Sequence, residues 1–173
     1  LSVLASFAQE ESRSISENCK WGIRKGYASG NPHVNNERVF GYRYDKEQKQ
    51  YVMVPEEAEI VREIFRLYLD GMSTDKIAKK LNAEGKRTST GAIFRVSRIN
   101  VILDYEFYTG DRLLQKHYLD GHLTKKQKKN NGELPQYLYT DDHEAIIDRE
   151  TFSRVQEERK RRRAFFQNTV LGY

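Results

Sequence analysis

The chain has 173 residues, of which 38% are hydrophobic, and its 30 lysines and arginines against 25 acidic residues give a net charge of +5. The length fits one compact domain with an appendage, or two small domains. The single cysteine excludes an internal disulfide and a cysteine-based zinc site, and no apolar run approaches the ~20 residues that span a bilayer. The basic balance favours a polyanionic partner or an anionic membrane surface, and the lone thiol favours a reducing, cytoplasmic compartment.

The first predicted element is one long, mostly exposed helix over residues 1–27, which contain no proline and no glycine before Gly22. Its narrow apolar stripe is either core or an oligomer seam, and a long helix with little domain around it favours the seam. The stripe consists of Val3, Leu4, Phe7, Ala8 and Ile15. Three cations near the end of the helix either contact DNA or compensate the helix dipole, and they are Lys20, Arg24 and Lys25.

Two short strands are predicted next, at residues 39–44 and 50–54, on either side of a polar turn. Pro55 then begins the clearest amphipathic helix of the chain, with two glutamates in its first turn. The apolar residues of this helix recur on one face as far as Leu69, and Gly71 ends it.

A helix-turn-helix-like unit is predicted to follow, because two short helices are joined by a polar turn that contains glycine. Ser73 is the predicted cap of its first helix, which Gly85 closes. Ser97 is the predicted cap of its second helix. The inner face of the second helix carries Ile99, Ile102 and Leu103.

The last third of the chain predicts short strands, a basic loop and a final helix. The strands are predicted at residues 107–119, 136–139 and 145–147. Residues 124–131 are interpreted as a polar loop, and Asp148 is expected to cap the final helix. The predicted fold class is therefore α+β, with a long N-terminal helix followed by a small mixed domain that contains the helix-turn-helix-like unit and short antiparallel strands.

The second helix of the unit is the candidate reader of DNA. The residues expected to point outward from it are Arg95, Ser97, Arg98, Asn100 and Val101. Arginine can pair with guanine and asparagine with adenine in a major groove, whereas the plain alternative is a solvated helix face. The turn before this helix mixes cations with hydroxyls, which suits phosphate oxygens but also suits a soluble turn, and it contains Lys86, Arg87, Thr88, Ser89 and Thr90.

Two further basic tracts are interpreted mainly as solvated segments. The first is a loop that contains Lys125, Lys126, Lys128 and Lys129. The alternative interpretation is that these lysines bind phosphates. The second is the run of residues 159–163, for which an exposed helix end is the expectation. An acidic cluster with a histidine, residues 141–144, suggests a metal-dependent nuclease, but consecutive residues of a strand point to alternate faces. No metal or cofactor is expected in this segment.

Three stretches of the chain resemble the large serine recombinase family. The first is LASFAQEESRSISENCKWGIRKGYASG, at residues 4–30. The second combines FGYRYD, at residues 40–45, with VPEEAEIVREIFRLYLDGMSTDKIAKKLNAEGKRTSTG, at residues 54–91. The third is ILDYEFYTG, at residues 102–110, with His143, Ile146–Ile147, Asp148 and Phe152 downstream. Each stretch is unspecific alone, and their order and spacing carry the resemblance.

The resemblance implies recognition of attachment-site DNA during integration or excision of a mobile element. In that family a serine hydroxyl attacks each strand, and strands are exchanged within a synaptic tetramer without an energy cofactor. The implied partners are a double-stranded half-site and further subunits, in a dimer or tetramer, without a membrane. Residues 1–29 are expected to form the connecting helix from a catalytic domain, residues 30–148 the recombinase domain, and residues 149–173 a helix and linker toward a zinc ribbon.

The chain departs from the family pattern at Phe94, and the catalytic domain with its nucleophilic serine and the zinc ribbon of that family are expected to lie outside this sequence. Phe94 stands where the family usually has a tryptophan ahead of the recognition helix. The serines of the N-terminal helix have no paired general base, so this segment is not expected to cleave DNA, although its parent protein is. Two alternatives stay open, a helix-turn-helix transcriptional regulator and, less favoured, the metal-dependent nuclease.

Overall fold

A computed structural model describes residues 3–29, 38–120 and 126–170. It confirms the α+β class, with five helices and short antiparallel strands in the described residues. The chain divides into two compact units. The helical unit combines residues 36–112 with 140–173, and the hairpin unit combines residues 1–35 with 113–139.

The helical unit begins with a three-stranded antiparallel sheet in the order β1-β2-β3. Its strands are Arg38–Val39, Tyr42–Asp45 and Gln50–Met53. A single strand over residues 39–44 was the wrong prediction, because the chain turns at Phe40 and Gly41 and pairs Val39 with Tyr42. Gly41 permits the turn, since its φ is +95° and a Cβ there would lie 2.7 Å from Cδ1 of Ile146.

Three helices follow, and two of their predicted starts are confirmed. They are α2 at Pro55–Leu69, α3 at Thr74–Ala83 and α4 at Val96–Asp104. Pro55 opens α2, and the Ser73 hydroxyl caps α3 by accepting from the Lys76 amide. The capping role predicted for Ser97 is wrong, because Arg95 is the N-cap residue of α4 and makes no side-chain cap bond. Ser97 lies inside the first turn instead.

A short 3-10 helix at Glu106–Thr109 replaces the start of the predicted strand over residues 107–119. Phe107 and Tyr108 are both buried there, and a helical turn is able to bury two consecutive side chains that a strand would point to opposite faces. The strand predicted at residues 145–147 is also wrong. The amides of Ile146 and Ile147 instead donate to the Tyr108 carbonyl, at 3.0 and 2.9 Å.

The last helix, α5 at Arg149–Val170, closes the helical unit. Asp148 caps it as predicted, with its Oδ1 accepting from the Thr151 amide at 2.7 Å. Helix α5 packs against α2 and α4 and buries Val155 completely. The core is rich in aromatic side chains, and those exposed by less than 2% include Tyr42, Tyr108, Phe40 and Phe65.

The hairpin unit contains the long helix α1 at Val3–Ala28, whose described side chains are mostly exposed as predicted. The strands that follow the 3-10 helix are β4 at Arg112–Leu114, β5 at His117–Asp120, β6 at Lys126–Lys129 and β7 at Tyr137–Tyr139. Strand β6 pairs antiparallel with β5, so the predicted loop is a strand over these four residues. The strand predicted at residues 136–139 is confirmed. No helix among the described residues is long and apolar enough to cross a membrane.

Candidate nucleic-acid interface

Helices α3 and α4 form the predicted helix-turn-helix-like unit, and the Asn82 side chain fixes the path between them. Its Nδ2 donates to the Phe94 carbonyl and its Oδ1 accepts from the Phe94 amide, both at 2.8 Å. The Phe94 ring is buried edge-on against Phe40, with 5.6 Å between ring centroids. Phe94 therefore anchors the start of α4.

The inner face of α4 is as predicted, because Ile99, Ile102 and Leu103 are fully buried. The outer face exposes Arg95, Ser97 and Val101. These three residues are thus available to a partner. The opposite face of the helix packs into the core through its apolar side chains.

Asn100 lies toward α5 rather than on the open face of α4. Its Oδ1 accepts from Nη1 of Arg159 at 3.1 Å, and its Nδ2 donates to the Val96 carbonyl at 3.1 Å. Nη2 of Arg159 donates to Asp104 at 2.6 Å. These two hydrogen bonds hold the Asn100 side chain toward α5 and occupy one of its two N–H donors and one lone pair of its oxygen.

Arg98 is half-buried, with its guanidinium 5.7 Å from the centroid of the Phe40 ring. Its Nε is buried and has no hydrogen-bond partner among the described residues. Part of this side chain is therefore committed to packing, and the rest remains a candidate for base or phosphate contact.

The turn before α4 is partly tied to the protein. Lys86 forms ion pairs with Glu63 and Glu84, and these hydrogen bonds raise its pKa. Arg87 is exposed and donates to the carbonyls of Asn82 and Lys86. The hydroxyls of Thr88 and Thr90 lie 3.1 Å apart, and Ser89 between them is half-buried. Arg87 is thus more accessible to a phosphate than Lys86.

The arginines of residues 159–163 do not form a uniformly exposed helix end, so that prediction is wrong for two of them. Arg159 is 6% exposed. Arg162 donates to the carbonyls of Tyr68 and Met72, at 2.9 and 3.0 Å, and so satisfies carbonyls at and just beyond the C-terminal end of α2. The spacing carried a signal for this, because Arg159 and Arg162 follow the buried Val155 by four and seven residues, which places all three on one helix face.

Within the hairpin unit, the cations of α1 occupy two faces of the helix. Lys20 and Arg24 line a groove with Ile23, His117 and Leu119. Lys25 is exposed and places its Nζ 4.9 Å from the centroid of the Trp21 ring. The three cations predicted to act together are therefore divided into a pair that faces the groove and one that faces solvent.

The remaining predicted residues whose side chains the structure describes are exposed in the same unit. Lys126, Lys128 and Lys129 are exposed on β6, whereas Lys125 lies outside the described residues. On α1, Phe7, Ala8 and Ile15 are exposed, with 70% of Phe7 accessible. Val3 and Leu4 belong to the first turn of this helix, and their side chains also lie outside the described residues.

The acidic cluster of residues 141–144 is built into the protein rather than gathered around an open site. Asp142 forms an ion pair with Arg112, at 2.6 Å, and a hydrogen bond with Nδ1 of His143, at 3.2 Å. Burial opposes ionisation of Asp142, but the His143 hydrogen bond and the Arg112 charge outweigh it, so its pKa lies below the ordinary value. His143 also contacts the Phe107 carbonyl through Nε2, at 2.7 Å. Among the described residues, no group of three or more acidic, histidine or cysteine side chains is placed to hold a metal.

Comparison with known proteins identifies the family that this chain is similar to. A family model described as "Recombinase" matches residues 55–162. A Bacillus subtilis (strain 168) protein named "Putative DNA recombinase" is 28% identical over 105 residues, which is 57% of this chain and 21% of that protein. The chain thus spans about a fifth of this relative.

Two solved structures are also similar. One, titled "Crystal Structure of a LSR-DNA Complex", is 23% identical with a TM-score of 0.54, over 83% of this chain and 38% of that one, and so shows a shared fold. The other, "Sequence Requirements of the Listeria innocua prophage attP site", is 23% identical with a TM-score of 0.49, over 75% of this chain and 45% of that one. The family model covers more than half of the chain, so the chain belongs to the family described as Recombinase, and the resemblance in the sequence is confirmed.

Proposed function

We propose that this chain is the DNA-binding segment of a large serine recombinase, which recognises attachment-site DNA for integration or excision of a mobile element. The observation that carries the proposal is α4, which is packed from behind, anchored at its start by Asn82 and Phe94, and open on its outer face. A second helix of such a unit enters a major groove in many DNA-binding proteins. Because the proposed target is DNA, we also propose a cytoplasmic location.

The comparisons support this proposal through the solved structure whose title names a complex with DNA. The net charge of +5 is consistent with a polyanionic partner. Exposed cations, among them Arg87 and Arg95, flank the outer face of α4 and suit the phosphates on either side of a groove. Phosphate contacts would set the register of the protein on the duplex, and α4 would supply the sequence preference.

The proposal is tested by titrating labelled duplex DNA with the 173-residue chain over a series of salt concentrations. We expect binding that weakens as salt rises, with a preference for one family of sequences. A chain that fails to bind duplex DNA at low salt would contradict the proposal. The regulator alternative predicts the same binding, and reading the gene upstream of Leu1 for a resolvase-like catalytic domain separates the two.

The lysines of β6 are expected to contact phosphates if the hairpin unit lies along the duplex. Changing Lys126, Lys128 and Lys129 together to alanine should then flatten the plot of log affinity against log salt, by about 0.9 for each phosphate that is no longer neutralised. Salt titrations of the wild-type and triple-alanine chains measure this slope. The control variant changes Lys46 and Lys49, in the β2–β3 turn, to alanine. It should leave the slope of log affinity against log salt unaltered. An equal slope in all three proteins would remove β6 from the interface.

We also propose that the exposed stripe of α1 associates with another subunit in the parent protein. Phe7 and Ile15 are 70% and 58% exposed, although apolar side chains of this size are usually covered. Phe7→Asp should therefore reduce assembly of the full protein on DNA, measured by light scattering. Gln9→Asp adds the same charge away from the stripe and should assemble normally. Normal assembly of the Phe7→Asp protein would contradict this proposal and would indicate that the stripe is a solvent-exposed helix face.

A further inference from the structure

Three apolar side chains on and just before α4 are exposed, and of these Val101 lies on the face of the helix opposite the buried side chains. Val101 is 54% exposed, and Val96 in the first turn of the helix is 39% exposed. Ile93, three residues before Val96, is 55% exposed. The same short segment buries Phe94, Ile99, Ile102 and Leu103 almost completely, so its exposed apolar residues are not a consequence of poor packing.

The polar side chains on either side of Val101, Asn100 and Arg98, both make contacts within the protein. Asn100 uses its oxygen for Arg159 and its amide for the Val96 carbonyl. Arg98 lies against the Phe40 ring, with its Nε buried. The two residues at the centre of the open face are Ser97 and Val101, which share that face because they are four positions apart.

The side chains around Val101 indicate the chemistry of its partner. Arg95 begins the helix and Arg87 lies in the preceding turn, and both are exposed. A partner that matches exposed cations around an apolar centre is a polyanion that displays an apolar group between its charges. In the major groove of DNA, the thymine C5-methyl is the apolar group among the base edges.

We propose that Val101 reads thymine by contact with its C5-methyl group, with the Ser97 hydroxyl as the hydrogen-bonding neighbour on the same face. This inference rests on the proposed function and deepens it, because it names a base that the half-site must contain. It also places base recognition at Val101 rather than at Asn100, whose half-buried side chain is hydrogen-bonded to Arg159 and to the Val96 carbonyl.

The test starts from the duplex that this chain selects from random DNA. Each thymine of the selected motif is replaced in turn by deoxyuridine, which removes the methyl group and leaves the hydrogen-bonding edge intact. We expect a loss of affinity of about fourfold at one or more positions, which corresponds to one buried carbon. Val101→Ala should bind the thymine duplex more weakly than wild type, and it should no longer distinguish thymine from uracil at that position.

Leu138→Ala is the matched control, because Leu138 is a similarly exposed apolar residue, at 60%, on β7. This variant should keep the full sensitivity to uracil. A motif whose thymines tolerate uracil, or a Val101→Ala chain that keeps wild-type sensitivity, overturns this inference and leaves the proposed function standing. Failure of the chain to select any motif overturns both.

Discussion

Gly110→Ala is expected to cost about 3 kcal/mol of unfolding free energy, among the larger effects of a single substitution. Gly110 ends the 3-10 helix with a φ of +83°, a conformation that costs a residue with a Cβ about 1–2 kcal/mol. A Cβ at this position would also lie 2.7 Å from the His143 carbonyl oxygen. That oxygen belongs to the backbone, so relief requires the chain around His143 to shift.

The position matters because Gly110 joins two parts of the core. Its carbonyl accepts from the amides of Asp142, at 2.8 Å, and His143, at 3.4 Å. Urea unfolding followed by far-UV circular dichroism measures the loss, and it reports the helices directly. Gly85→Ala is the control, since Gly85 has a similar φ of +76° and open space around it. It should cost about 1 kcal/mol, and equal losses in the two variants would contradict the steric part of the explanation.

Tyr42→Phe is expected to cost about 2 kcal/mol through two hydrogen bonds. The Tyr42 side chain is fully buried, and its hydroxyl donates to the Glu144 carbonyl at 2.6 Å. The same oxygen accepts from the Ile146 amide at 3.1 Å. Removing the hydroxyl leaves the Glu144 carbonyl without this donor and reduces the Ile146 amide to its bond with the Tyr108 carbonyl, at 3.0 Å. Burial raises the pKa of Tyr42, so the hydroxyl stays protonated and able to donate.

Tyr44→Phe, on the same strand, is the matched control for that loss. Tyr44 is half-buried and contacts the Tyr51 ring edge-on, and its hydroxyl has no hydrogen-bond partner among the described residues. We expect its unfolding free energy to stay within about 0.5 kcal/mol of wild type. A Tyr42→Phe chain as stable as Tyr44→Phe would show that the bonds to Glu144 and Ile146 contribute little.

Local patterns predicted the helices well, because their signals lie within a few residues of one another. Pro55 at the start of α2 and the hydroxyl of Ser73 before α3 are such signals. The inner face of α4 followed from the spacing of three apolar residues. These features depend on helical periodicity and capping chemistry alone.

The errors arose where distant contacts decide the local conformation. The segment around Phe107 has strand-forming residues, but it folds as a 3-10 helix because Tyr108 reaches the Phe40 carbonyl through its hydroxyl, at 2.9 Å. The orientation of Asn100 depends on Arg159, which is 59 residues away in the chain. A spacing rule within α4 places Asn100 near the open face and contains no information about that arginine.

The most direct test of DNA recognition by α4 is a selection of bound fragments from random duplex DNA by the 173-residue chain, at two salt concentrations. Backbone contacts weaken steeply with salt, whereas contacts to base edges supply the sequence preference. We predict an enriched motif that survives the higher salt and that weakens when Ser97 and Val101 are both changed to alanine. Binding that is lost at the higher salt, without enrichment of any motif, would contradict sequence recognition by α4. The chain would then contact only the phosphate backbone.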